Sequence, residues 1–106
     1  MTQTELYIAL KSLGMPVAYG EFTQSTAPPF ITYQFAYSKD FKADNQNYLE
    51  VGSFQVELYT ANKDLVIETL IQNKLRDLRL PYSKTESWIE SEKMRQIIYE
   101  IQIVGG

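Results

Sequence analysis

Two residue types that carry much of protein chemistry are missing: the chain of 106 residues has no cysteine and no histidine. Without cysteine there is no disulfide, no thiolate metal site and no cysteine nucleophile, and the composition fits a reducing compartment. Without histidine the commonest general base and the commonest transition-metal ligand are gone. An enzyme would have to work with carboxylates, lysine or tyrosine. Glycine is sparse, and Gly14, Gly20, Gly52, Gly105 and Gly106 never fall into a phosphate-binding fingerprint. A basic excess is lacking too: 10 Lys and Arg against 13 Asp and Glu leave a net charge of −3. That balance disfavours a chain devoted to clamping nucleic-acid phosphates or docking on anionic lipid. No apolar run approaches the ~20 residues of a membrane span. "MTQTELYIAL" shows no basic region leading into an apolar core, so no secretory leader is expected.

What is present is an ordinary globular composition, 44% hydrophobic and 22% charged, with eight Tyr and five Phe. The length predicts a single domain over residues 1–106, with room for one core or two thin layers. Tyrosine combines apolar area with a polar tip and suits half-buried sheets and subunit contacts.

Periodicity places the elements. A helix is predicted from Thr2 to Leu13, with Thr2 and Glu5 in capping-box spacing, an apolar stripe of Leu6, Ala9, Leu10 and Leu13, and Gly14 and Pro16 as stop signals. "MPVAYGEF" reads as a short edge strand and "TQSTAPPF" as a loop. "FITYQFAY" is strongly strand-like, with Ile31, Tyr33, Phe35 and Tyr37 expected on one face. A second strand spans about 49–60 and alternates Phe54, Val56 and Leu58 with Ser53, Gln55 and Glu57, Gly52 marking a bulge or a close backbone approach. These two strands are expected to pair as an antiparallel hairpin. A second helix is predicted from Lys63 to Leu78, capped by Asn62, with a stripe of Ile67, Leu70, Ile71, Leu75 and Leu78. Strands at 82–91 and 94–106 close the chain, the latter with Ile97, Tyr99, Ile101 and Ile103 on one side. The order implies an α+β fold: a mainly antiparallel four-stranded sheet with two amphipathic helices packed on one face.

The connection "YSKDFKADNQNYLE" (37–50) is the odd feature, long and charged for a hairpin whose loops usually run about two to five residues. Its Asp40, Asp44 and Asn45 lack the spacing of a calcium loop. Lys39 and Lys42 around Phe41 echo single-strand nucleic-acid binding, but Asp40 and Asp44 cancel the field. Elsewhere, Glu86 and Glu90 flank Trp88 and could form an acid/base pair, with Lys84 on the same face to neutralise it and Glu92 nearby. A solvated strand face is the expected reading of these charges. "TQST" offers hydroxyls without a base. No catalytic residue, metal or cofactor is expected.

The succession "PPFITYQFAYSKDFKADNQNY", "FQVELYT", "NKDLVIETLIQNKL" and "YSKTESWIESEKMRQIIYEIQI" resembles the small tail-terminator or tail-completion proteins of long-tailed phages and prophages of Gram-positive bacteria. The resemblance covers roughly residues 4–103, most tellingly "PFITY", "FKADNQNY" and the join from "VELYT" to the following "KD". It implies a virion structural protein, assembled in the host cytoplasm, that closes into a homo-oligomeric, hexameric ring at the head-tail junction. Such a ring caps the tail tube, ends its polymerisation and offers a docking face to the head connector. The implied partners are further copies of the chain, the tail tube protein and the head-tail connector protein, with no membrane and no sequence-specific nucleic acid. A head-completion or connector protein is the alternative, and a small cytosolic binding or regulatory module a third reading. Heterologous ring contacts need aromatic area outside the core, for which Tyr33, Tyr37, Tyr48, Tyr59 and Phe41 are available. The expected contact residues are Tyr37, Lys39, Asp40, Phe41, Lys42, Asp44 and Tyr48 in a projecting arm, with Phe41 as apolar anchor and the charges setting register.

Overall fold

A computed structural model describes residues 1–43 and 45–105. The first helix, α1 (Gln3–Lys11), starts as its sequence demands. The Thr2 hydroxyl accepts from the Glu5 backbone N–H, and the Glu5 carboxylate accepts from the Thr2 N–H. Strands β1 (Val17–Tyr19), β2 (Phe30–Ser38), β3 (Phe41–Ala43), β4 (Gln46–Leu49) and β5 (Val51–Thr60) follow. Then come α2 (Leu65–Asp77), β6 (Ser83–Ile89) and β7 (Met94–Val104).

The fold is α+β, but the sheet has five strands in the order β1-β2-β5-β7-β6. The expected four antiparallel strands are there: β2 with β5, β5 with β7, and β6 with β7. The fifth is β1, which joins the outer side of β2 in parallel and makes the sheet mixed. Parallel pairing follows from the chain path. The segment from Gly20 to Pro29 crosses back to the start of β2, so β1 and β2 run the same way, and the Ile31 N–H donates to the Pro16 carbonyl at 2.9 Å. The helix after β5 is capped by Asp64, not Asn62; its carboxylate accepts from the Ile67 N–H at 3.1 Å.

One face of the sheet is covered. Leu6 and Leu10 of α1 and Ile71 and Leu75 of α2 are fully buried against Ile31, Val56, Leu58, Ile97 and Tyr99. Burying one such side chain stabilises the fold by about 1.5–3 kcal/mol. Of the stripe read along α2, Ile67, Ile71, Leu75 and Leu78 pack on the core as expected, but Leu70 is 45% exposed, while Glu68 is buried. Polar chemistry decides this, since Glu68 points at Lys63 and at Lys84 on β6.

Along β2, Ile31, Tyr33 and Phe35 share the helix side, and Tyr37 does not. The register shifts between Phe35 and Tyr37. This bulge inserts one residue and sends Tyr37 to the open face, where its hydroxyl donates to Glu100 at 2.9 Å. Gly52 sits where an added Cβ would lie 3.0 Å from the Phe54 ring, so its close neighbours are aromatic side chains and not the expected backbone.

Candidate functional site

The segment between β2 and β5 is an arm. Its β3 and β4 pair with each other in a small antiparallel ladder separate from the main sheet. It forms without a glycine because Asn45 adopts positive φ (61°) at the tip, a conformation asparagine tolerates better than most residues. The molecule is correspondingly elongated, 49 × 28 × 24 Å.

The root of the arm is braced. The Lys39 N–H donates to the Val51 carbonyl at 2.8 Å, and the Val51 N–H donates to the Asp40 carboxylate at 2.9 Å. Asp40, expected to set register with a partner, therefore also ties the arm to β5. The Lys39 ammonium lies 5.6 Å from the centre of the Tyr37 ring. Lys42 is exposed. Asp44 lies outside the described residues, as do the side chains of Phe41 and Tyr48. Beside the root is a notch of about 300 Å³ whose lining includes Phe35, Asp40, Glu50, Gly52, Phe54 and Ile103. Phe35 is half-exposed there, edge-on to Phe54.

Of the tyrosines expected to supply contact area, Tyr33 is buried and Tyr59 is half-buried. Tyr33 is buried between Tyr7 and Tyr19. Tyr59 stacks on Phe30, their ring centres 4.8 Å apart.

The carboxylates around Trp88 separate. Glu86 faces the start of α2, where a hydrogen bond from Lys63, with help from Arg95, holds its carboxyl below the usual range. Glu90 lies in the turn beyond β6, held low by Lys93 and by the Trp88 N–H. Neither is raised, as the acid of an acid/base pair must be. Glu68 joins the same cluster. Burial by itself pushes its carboxyl up, but hydrogen bonds from Lys63 and Lys84 outweigh that and hold it low. Glu68, Glu86, Lys63, Lys84 and Arg95 thus form an ion-pair network that fastens α2 to β6 and β7.

The helix-free face carries a second carboxylate that reading along the chain missed. Glu57 is 5% exposed and accepts from the Thr32 hydroxyl (3.1 Å), the Gln34 amide (3.1 Å) and the Tyr59 hydroxyl (2.8 Å). Gln96 donates in turn to the Tyr59 hydroxyl. Burial and the neighbouring Glu57 push the Tyr59 phenol up. Alternation marks Glu57 only as an outward residue; its burial comes from neighbours on three strands. Around it the face presents Gln34, Gln55, Ser87, Glu100 and Gln102, and no strand of the sheet places a lysine or arginine there. The bases of the sheet, Lys84 and Arg95, are on the helix side. Among the described residues no helix is long and apolar enough to cross a membrane.

Compared with protein-family models and with curated proteins, the chain matches none.

Proposed function

We propose that the chain is a structural subunit of a phage virion, a tail terminator. Copies close into a ring on the finished tail tube, stop its growth and present a docking face to the head connector. The observation that carries this reading is the arm: a braced, charged hairpin projecting from the sheet, more than a hairpin connection needs. The sequence resemblance to small tail-completion proteins supports it. The open sheet face suits the wall of a channel for DNA, because amides, hydroxyls and carboxylates dominate it, and the Lys39 ammonium that reaches it lies over the Tyr37 ring on the side of Glu100. The arms then reach the tube or the connector.

The test is assembly. Purified protein at high concentration, alone and mixed with tail tubes, is weighed by native mass spectrometry and imaged by negative stain. Rings, free or seated on tube ends, are the expected result. A strict monomer that also leaves tube ends bare refutes the reading. Mixing with isolated tails and with DNA-filled heads separates a tail terminator from a head-completion protein by which particle it caps.

A further inference from the structure

The main sheet ends in two different free edges, β1 and β6, and they match. In an antiparallel ladder, residues bonding to one neighbour alternate with residues bonding to the other. The Gly105 N–H donates to the Glu50 carbonyl, so the odd-numbered residues of β7 bond to β5 and the even-numbered ones to β6. In β6, the residues opposite those even-numbered positions, Ser83, Thr85, Ser87 and Ile89, therefore bond inward. The amides and carbonyls of Lys84, Glu86 and Trp88 face away from the sheet. At the other edge, Ile31 donates to Pro16 and Gly20 donates to Tyr33, which places Ala18 toward β2 and turns Val17 and Tyr19 outward. The Tyr19 carbonyl already accepts from the Glu21 N–H.

We propose that copies of this chain join edge to edge, β6 of one against β1 of the next, so that the sheet runs on from subunit to subunit. Three independent features agree. Direction is the first: β6 is antiparallel to β1, so a copy displaced across the sheet presents an antiparallel partner. Bonding phase is the second. Following the register across the sheet, Tyr19 is level with Tyr33, Val56, Tyr99 and Lys84, while Val17 is level with Ile31, Leu58, Ile97 and Glu86. A copy set alongside without stagger thus brings outward-facing amides opposite outward-facing amides. The third is the side chains. Lys84, Glu86 and Trp88 share the helix side with Tyr19, and Tyr19 and Trp88 are 49% and 44% exposed in the single chain. Across the joint, Tyr19 lies over the Lys84 stem and Trp88 lies diagonal to Val17. Lys84 and Glu86 are already fastened to α2 and β7, so the edge is rigid before a partner arrives.

Such a joint uses a different surface on each subunit and closes by rotation. The inference deepens the ring reading and rests on it for closure: six copies at ~4.8 Å per strand make a wall about 45 Å across, wide enough for duplex DNA along the open face.

The absence of native cysteine makes the test direct. Thr85 and Ala18 would be opposite each other across the joint at a non-hydrogen-bonded position, where Cα atoms approach to about 4.5 Å. Within one subunit they are four strand spacings apart, about 19 Å, too far for a disulfide. The Ala18→Cys, Thr85→Cys double variant, oxidised, is expected to give a covalent ladder on a non-reducing gel up to the closed ring, and each single variant none of it. In the wild type, the outward-facing amides of Lys84 and Glu86 are expected to exchange roughly ten-fold or more slowly in the assembly than in dilute monomer. Rings that give neither ladder nor protection overturn the edge joint and leave the ring standing. No assembly at any concentration, alone or with tubes, overturns both.

Discussion

Replacing Glu68 by glutamine removes one charge from the helix side and leaves shape and volume almost unchanged. Glu68 is 2% exposed. It lies 2.7 Å from the Lys84 ammonium and 2.8 Å from that of Lys63. Two charge-assisted bonds of this kind would contribute about 1.5–3 kcal/mol each if sealed from water. Both lysines are a third or more exposed, so solvent screens the pair and the expected loss is about 1–2 kcal/mol in all. For a domain of this size that lowers Tm by roughly 5–10 °C at pH 7. The sign with pH follows from the depressed carboxyl. A group whose folded pKa lies below its unfolded value adds stability above the unfolded value and loses it as pH falls through the folded one. The difference between wild type and Glu68→Gln should therefore be full near pH 7 and shrink below about pH 4. The order of the variants is equally diagnostic. Lys84→Met leaves a buried carboxylate with one cation in place of two, whereas Glu68→Gln leaves exposed lysines that rehydrate, so Lys84→Met should be the more damaging. Thermal unfolding of both variants at pH 7 and pH 3.5 decides it. A Glu68→Gln protein as stable as wild type at pH 7, or a deficit that grows in acid, would refute the reasoning.

On α2, Leu75→Ala should cost about 2–5 kcal/mol by chemical denaturation, and Val66→Ala, an exposed site on the same helix, less than about 0.5 kcal/mol. Gly52→Ala would put a Cβ 3.0 Å from the Phe54 ring, so the ring must move; a loss of about 1–3 kcal/mol is expected, with the near-ultraviolet circular dichroism altered as Phe54 and Phe35 shift. Phe41→Ser combined with Asp44→Lys should leave cooperative unfolding intact and impair ring assembly in sedimentation; loss of folding would instead place the arm in the core.

Much of the architecture is local and therefore readable along the chain. The capping box at Thr2 and Glu5, the alternation in β2, β5 and β7 and the buried spacing on α1 depend on neighbours a few residues away. The antiparallel pairing of β2 with β5 was readable for another reason: strands adjacent in sequence usually pair. Their arm marks itself by length and charge, and by the absence of a glycine turn. What could not be read depends on residues far apart in sequence. β1 is a three-residue segment whose place beside β2 is decided by the loop that carries it there. The bulge that turns Tyr37 over leaves no mark in the alternation around it. Glu68 and Glu57 read as surface carboxylates on a helix and a strand. Only the fold brings Lys84 to one and Thr32, Gln34 and Tyr59 to the other. Composition alone excluded thiol and imidazole chemistry, because no fold can supply a missing side chain. Which polar groups are buried, and which backbone edges stay open, was decided by tertiary structure, because both depend on what the rest of the chain covers.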